Sequence, residues 1–215
     1  MSENRLKITE IFHSIQGESN SIGWPTVFVR LTGCPLRCQY CDTEYAFFGG
    51  QWMGLDKILA QVASYGAQRV TVTGGEPLAQ KRCIELLQQL CEANYQVSLE
   101  TSGALDISAV DSRVSRVVDI KTPGSGEESR NLWTNIGHLN CHDQLKFVIC
   151  SREDYQWSRA KLAELSLPAG LQVMFSPSFD QVDRTALANW ILEDHLPVRY
   201  QLQLHKILWG EAPGH

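Results

Sequence analysis

Thr26-Val-Phe-Val-Arg-Leu-Thr-Gly-Cys-Pro-Leu-Arg-Cys-Gln-Tyr-Cys-Asp-Thr43 reads as a strand that runs straight into a loop of thiols. Residues 26–32 alternate apolar β-formers and make a strand. The loop then sets Cys34, Cys38 and Cys41 at C-x3-C-x2-C spacing within eight residues. A triplet this tight can converge on one centre from a single loop. Cubane iron–sulfur clusters are usually held by four cysteine thiolates. Three leave one iron without a protein ligand, and an open coordination position is what a metal centre needs for chemistry.

Composition restricts the setting. Of 215 residues, 43% are hydrophobic and 20% charged, and the net charge is −5. That length suits one domain, taken here as 1–215, with a sizeable core. No Lys/Arg run marks a nucleic-acid binder. No apolar run has the length of a membrane span, and the first residues lack the apolar core of a signal peptide. A cytoplasmic protein is therefore expected, in which thiols stay reduced. Cys83, Cys91, Cys141 and Cys150 then read as buried apolar thiols.

Outward from the loop, strands and helices alternate. Strands are expected over 6–15, 26–32, 69–73, 96–100, 116–121, 144–150, 172–175 and 198–204, and helices over 55–65, 78–93, 153–165 and 184–193. Residues 124–142 carry little pattern and read as a loop with one helical turn. The alternation implies an α/β fold of parallel β/α units. About six parallel strands are fewer than the eight of a closed barrel, so the expected form is a partial, open TIM-like barrel. Polar or Gly-rich stretches follow the strands repeatedly, which places the site at the strand C-terminal ends.

The triplet has competing readings. Structural zinc wants four ligands, typically two pairs, and no second C-x2-C exists. A redox Cys38/Cys41 pair leaves Cys34 without a role. A three-thiolate cluster uses all three. Gly74-Gly75-Glu76-Pro77 follows the 69–73 strand. Alone it is a common strand-to-helix turn, although its glycines would let backbone approach a ligand closely.

Together, the Cys-x3-Cys-x-Tyr-Cys run and Gly-Gly-Glu-Pro resemble the signature of the radical S-adenosylmethionine superfamily. Further stretches resemble the 7-carboxy-7-deazaguanine synthase family across essentially the whole chain. They are Phe12-His-Ser-Ile-Gln-Gly-Glu18, Arg30, Asp42-Thr43, Glu100-Thr-Ser-Gly103 and Gln203-Leu-His-Lys206. The resemblance implies a lyase that converts 6-carboxy-5,6,7,8-tetrahydropterin to 7-carboxy-7-deazaguanine and ammonia, on the queuosine and 7-deazapurine route. It implies a 4Fe-4S cluster, S-adenosylmethionine and Mg2+, an electron donor such as flavodoxin or ferredoxin, and a homodimer. The rival enzyme is a glycyl-radical-enzyme activase, and a zinc or iron–sulfur interaction module is a non-catalytic alternative.

The same resemblance assigns residues. Cys34, Cys38 and Cys41 hold the cluster, and Thr43 offers an oxygen to Mg2+, an ion that keeps several waters and takes few protein ligands. Tyr40, Gly75, Glu76, Ser102, Asp119, Ile120, Lys121, Ser176 and Pro177 are expected around S-adenosylmethionine. Ile15, Gln16, Gly17, Glu18, Arg30, Thr73 and His205 are expected around the pterin. Arg30 suits the substrate carboxylate, since a guanidinium binds a carboxylate bidentately. Two stretches depart from the family pattern: Asp119-Ile-Lys-Thr-Pro123, and a tail that continues over 208–215.

Overall fold

The computed structural model describes residues 4–210. One nine-stranded sheet organises them, in the order β3-β1-β2-β4-β5-β6-β7-β8-β9. Strand β1 (Arg5–Ile15) runs antiparallel to β2 (Pro25–Leu31), and β3 (Gln51–Gly54) pairs antiparallel with the start of β1. From β2 onward the sheet is parallel: β4 (Arg69–Gly74), β5 (Gln96–Thr101), β6 (Ser115–Ile120), β7 (Gln144–Ile149), β8 (Gln172–Pro177) and β9 (Arg199–Tyr200). The parallel run holds seven strands, the last of two residues, and the sheet stays open.

Alternation along each strand decides what lies on each face. Val27, Val29, Leu31, Val70, Val72, Leu99, Val118, Leu145 and Phe147 are buried in the core. They pack with α1 (Leu55–Ser64), α2 (Cys83–Glu92), α3 (Arg152–Glu164) and α4 (Arg184–Glu193). The residues between them face the concave side and are mostly polar: Arg30, Thr71, Thr73, Ser98, Glu100, Asp119, Lys146 and Ser176. Register lines these up, with Arg30 opposite Thr73 and Asp119 opposite Lys146. A core packed outside a polar hollow is the result.

Three expected elements differ. The helix expected from Leu78 begins at Cys83, after a 3-10 turn over Pro77–Ala79. Gln80 explains the delay. Its side chain accepts from Lys7 N and donates to Lys7 O and Thr32 O, which holds its backbone extended against β1. The strand expected over 198–204 keeps only Arg199–Tyr200. Gln201 then leaves the sheet and bonds both backbone groups of Ser19, and Leu204 N donates to Gly17 O as α5 (Leu204–Trp209) begins. The edge strand β3 is short and exposed and carries no sequence signal. The loop expected over 124–142 contains 3-10 turns at Glu128–Arg130 and Trp133–His138. Of the tail, residues 211–215 lie outside the described residues.

Candidate active site

The concave face encloses a cavity of about 1210 Å³. Its rim is the cluster loop, which leaves β2 at Gly33. Gly33 has φ +98, a conformation that a side chain would strain. The loop is tied down at several points. Gly33 N donates to Ala46 O (2.8 Å), Gln39 N to Ser125 O (3.0 Å) and Arg37 N to Glu127 Oε1. Arg37 also folds back on Cys34 O (2.8 Å) and stacks on Phe47, with Cζ 4.3 Å from the ring centroid.

Cys34, Cys38 and Cys41 are free, half-buried thiols on the cavity wall; of the four cysteines expected to be buried, Cys83 and Cys91 are, whereas Cys141 is exposed in the turn before β7 and Cys150 is half-buried where β7 ends. Among the described residues, no three Cys, His, Asp or Glu side chains close around a single ion. A structural zinc site would require that, whereas a cubane gives each thiolate a different iron. Burial pushes all three thiols up, Cys38 to about 11. Loading must therefore drive off their protons, as metal binding to thiols does. The donor set fits a cluster held by three thiolates.

Gly75 lies directly under the loop. A Cβ there would sit 2.3 Å from Gly33 O and 2.8 Å from Cys34 Cβ. Beside it, Tyr40 Oη, Asp119 Oδ1 and Ser176 Oγ are buried without a hydrogen-bond partner, and all three residues line the cavity. Buried polar atoms normally find partners. Three orphans on one wall beside the thiols fit a polar ligand such as S-adenosylmethionine. Ser102, Lys121 and Pro177 share that wall, and Lys121 Nζ is 3.0 Å from Asp119.

Glu76 and Ile120 do not reach it. Ile120 lies between inward-facing Asp119 and Lys121, so strand alternation turns it into the core. The Glu76 carboxylate is fully buried and accepts from Leu78 N, Thr101 Oγ1, Ser102 N and Ser102 Oγ. Its placement is behind the wall, where it braces Ser102.

The floor comes from the opposite end of the barrel. Because β1 is antiparallel to β2, the loop after Ile15 enters from the N-terminal side of the parallel strands and plugs it. Ser19 is clasped by Gln201, and Asn20 N donates to Gln144 Oε1 (2.7 Å). Gln16, 2% exposed, donates to Thr71 (3.1 Å) and Glu100 (3.2 Å) and accepts from Glu18 N (3.1 Å). Its side chain is thus fully engaged within the protein. Gly17 sits against His205, whose Nδ1 would be 2.1 Å from an added Cβ. Burial pulls His205 below the usual histidine range, which favours the neutral ring.

Arg30 reaches the cavity from β2, its side chain 15% exposed, with Nε 2.7 Å from Glu10 Oε1. Tyr45 also donates to that oxygen (2.8 Å). Thr73 donates to Glu100 Oε2 (3.0 Å), and burial with the nearby Glu18 charge pushes Glu100 up. At the loop's far end, Thr43 donates to Asp42 Oδ1 (2.7 Å). The other Asp42 oxygen meets Lys206 (3.3 Å) and Gln203 (3.3 Å). Burial opposes ionisation of Asp42, but Thr43 and Lys206 pull it down to about 2. A threonine oxygen beside an ionised carboxylate fits a cation that keeps most of its waters.

Ile15, Gln16, Gly17, Glu18, Arg30, Thr73 and His205 all line this cavity with the thiols. Missed from the sequence were Glu10, Tyr45 and Lys146. Lys146 carries no signal because one lysine in a strand ordinarily reads as a solvated face.

Comparison with known proteins agrees with this geometry. The Radical SAM superfamily model matches residues 28–119. The 7-carboxy-7-deazaguanine synthase of Chlorobaculum tepidum is 44% identical over 212 residues, covering 97% of this chain and 96% of that protein. That of Koribacter versatilis is 42% identical, covering 95% and 97%. In fold, the crystal structure of QueE from Escherichia coli superposes with a TM-score of 0.77 at 22% identity, over 94% of this chain and 95% of that one. On the strength of the full-length relatives, the chain belongs to the 7-carboxy-7-deazaguanine synthase family of radical S-adenosylmethionine enzymes.

Proposed function

We propose that the chain converts 6-carboxy-5,6,7,8-tetrahydropterin to 7-carboxy-7-deazaguanine and ammonia, acting as a single domain over residues 1–215. One observation carries this reading: the three thiols, Arg30 and Glu18 line the same cavity. When bound to Cys34, Cys38 and Cys41, the cluster with S-adenosylmethionine would supply radical hydrogen-transfer chemistry directed at C6 of the substrate. The chain's own residues do the rest.

Arg30 holds the substrate carboxylate, with Glu10 fixing the guanidinium's orientation. Glu18 accepts from the donors of the amino-pyrimidinone edge, and the Ile15–Gly17 backbone flanks it. Thr73 and neutral His205 supply hydrogen bonds to the ring. Thr43 would offer its oxygen to Mg2+, with the Asp42 carboxylate beside it to accept from the ion's waters. The cluster loop and the floor loop exclude bulk water around a reactive species, and the protein's part is binding and orientation. The substrate and the deazaguanine differ only by ammonia, so the conversion is redox-neutral and needs no net consumption of the cofactor. Cys34, Cys38 and Cys41 face the cavity rim, where a small reducing protein such as flavodoxin or ferredoxin would deliver the starting electron. A cytoplasmic homodimer completes the proposal; no helix among the described residues is long and apolar enough to cross a membrane.

The test is anaerobic incubation of the reconstituted protein with dithionite, S-adenosylmethionine, Mg2+ and carboxytetrahydropterin. The expected result is catalytic deazaguanine formation. Stoichiometric 5′-deoxyadenosine with no deazaguanine would overturn the reading in favour of an activase.

A further inference from the structure

Lys146 is a lysine in the middle of a central parallel strand, with its side chain only 11% exposed on the concave face. Taking an ammonium out of water is costly unless it is paired. Lys146 Nζ pairs with Glu18 Oε2 on the cavity floor. The other Glu18 oxygen accepts from Gln203 Nε2 (2.8 Å), and Glu18 N donates to Gln16 Oε1. The carboxylate is thereby fixed at both oxygens and at its backbone. A carboxylate has about four lone-pair sites, so two stay available for a ligand.

We propose that Lys146 is a positioning residue: it holds Glu18 as an oriented acceptor for adjacent N–H donors and so sets a preference for a 2-amino over a 2-oxo pyrimidine ring. The inference rests on the pterin reading above and extends it to a residue outside the cluster and carboxylate contacts. A 2-oxo ring would present an acceptor where Glu18 also accepts. Sites built to pair a buried polar group reject ligands that leave it unpaired.

The charge surroundings give the inference a second readout. Facing this pair are Glu100 from β5, Asp119 from β6, Asp42 from the cluster loop and His205 from α5, with Lys206 behind them against Asp42. Burial raises Glu18, yet Lys146 brings its net shift below the usual carboxylate range. Removing the ammonium leaves Glu18 buried against Glu100. Both then push Glu18 up, so it takes a proton as pH falls.

The experiment uses the reconstituted holoprotein with S-adenosylmethionine and Mg2+ but no reductant. Binding of pterin-6-carboxylate and of its 2-oxo analogue, lumazine-6-carboxylate, is titrated from about pH 6 to about pH 7, where both rings keep their N–H donors. Wild type should prefer the pterin with an affinity that is flat over this range. Lys146→Met should lose about tenfold to a hundredfold in pterin affinity at the low end, recover as pH rises, and lose the preference. Lys146→Arg should restore both. A Met variant that retains its cluster absorption, the wild-type preference and a flat profile overturns the inference. Should the Met variant fail to load its cluster, Lys146→Gln replaces it: preference restored by Arg and not by Gln supports the role, and equal preference in both overturns it. Wild type that binds neither ring overturns the pterin reading itself, and the positioning role falls with it.

Discussion

Arg30 enters the cavity with Nε already engaged by Glu10 and its guanidinium flanked by the rings of Phe12 and Tyr45. A cation held this way loses little freedom when it meets a carboxylate, which is the value of a preorganised fork. Arg30→Ala should raise the KM for carboxytetrahydropterin by about tenfold to a hundredfold, the range of a lost charge-assisted hydrogen bond. Arg30→Lys should recover only part of it, because an ammonium is a point donor. Steady-state kinetics with substrate varied checks both. Glu76 makes a different prediction. Its carboxylate accepts four donors in the dry interior. Glu76→Ala strands those donors and should lower the unfolding free energy by about 2–4 kcal/mol in denaturant titration. Residue by residue, the spacing of the thiols exposed them directly, whereas Arg30 and Asp42-Thr43 were legible only through the family resemblance. The sequence concealed Lys146, and a motif carries no strand parity, so it did not show that the Ile120 side chain turns into the core.

At the scale of elements, the cluster loop depends on its neighbours more than on its own residues. Its floor is Gly75, at the end of β4, and its side anchors are Ser125 and Glu127 on the turn after β6. Gly75→Ala would press a methyl onto backbone and onto Cys34 Cβ, neither of which can swing aside. The expected outcome is a folded protein with iron content and visible charge-transfer absorption well below wild type. Far-ultraviolet circular dichroism, unchanged, would separate this from unfolding. Most strands and helices were legible because alternation and helical spacing are local properties. The exceptions were elements set by distant partners. Gln80 is held against β1, and Gln201 is drawn off the last strand by Ser19. Neither interaction, separated by 73 and 182 residues, leaves a mark in the local pattern.

For the whole molecule, the open sheet means that no strand ladder seals the barrel. The floor loop and α5 do this instead, which is why residues near both ends of the chain meet at Glu18, Gln203 and Asp42. The sequence placed the site at the strand C-terminal ends; the structure adds that the cavity floor rises from the other end. Beneath the sheet, Asp143 takes a bidentate bond from Arg116, with side chains 0% and 5% exposed. Asp143→Ala leaves a guanidinium buried and unpaired, and should cost about 3–5 kcal/mol in unfolding free energy. In the proposed reaction one cavity holds both the radical source and the pterin. This is tested most directly with substrate deuterated at C6, followed by mass analysis of the S-adenosylmethionine recovered after turnover. Deuterium should appear in the recovered S-adenosylmethionine while product accumulates. Product formed with no deuterium in that pool, or with S-adenosylmethionine consumed once per turnover, would contradict that reaction.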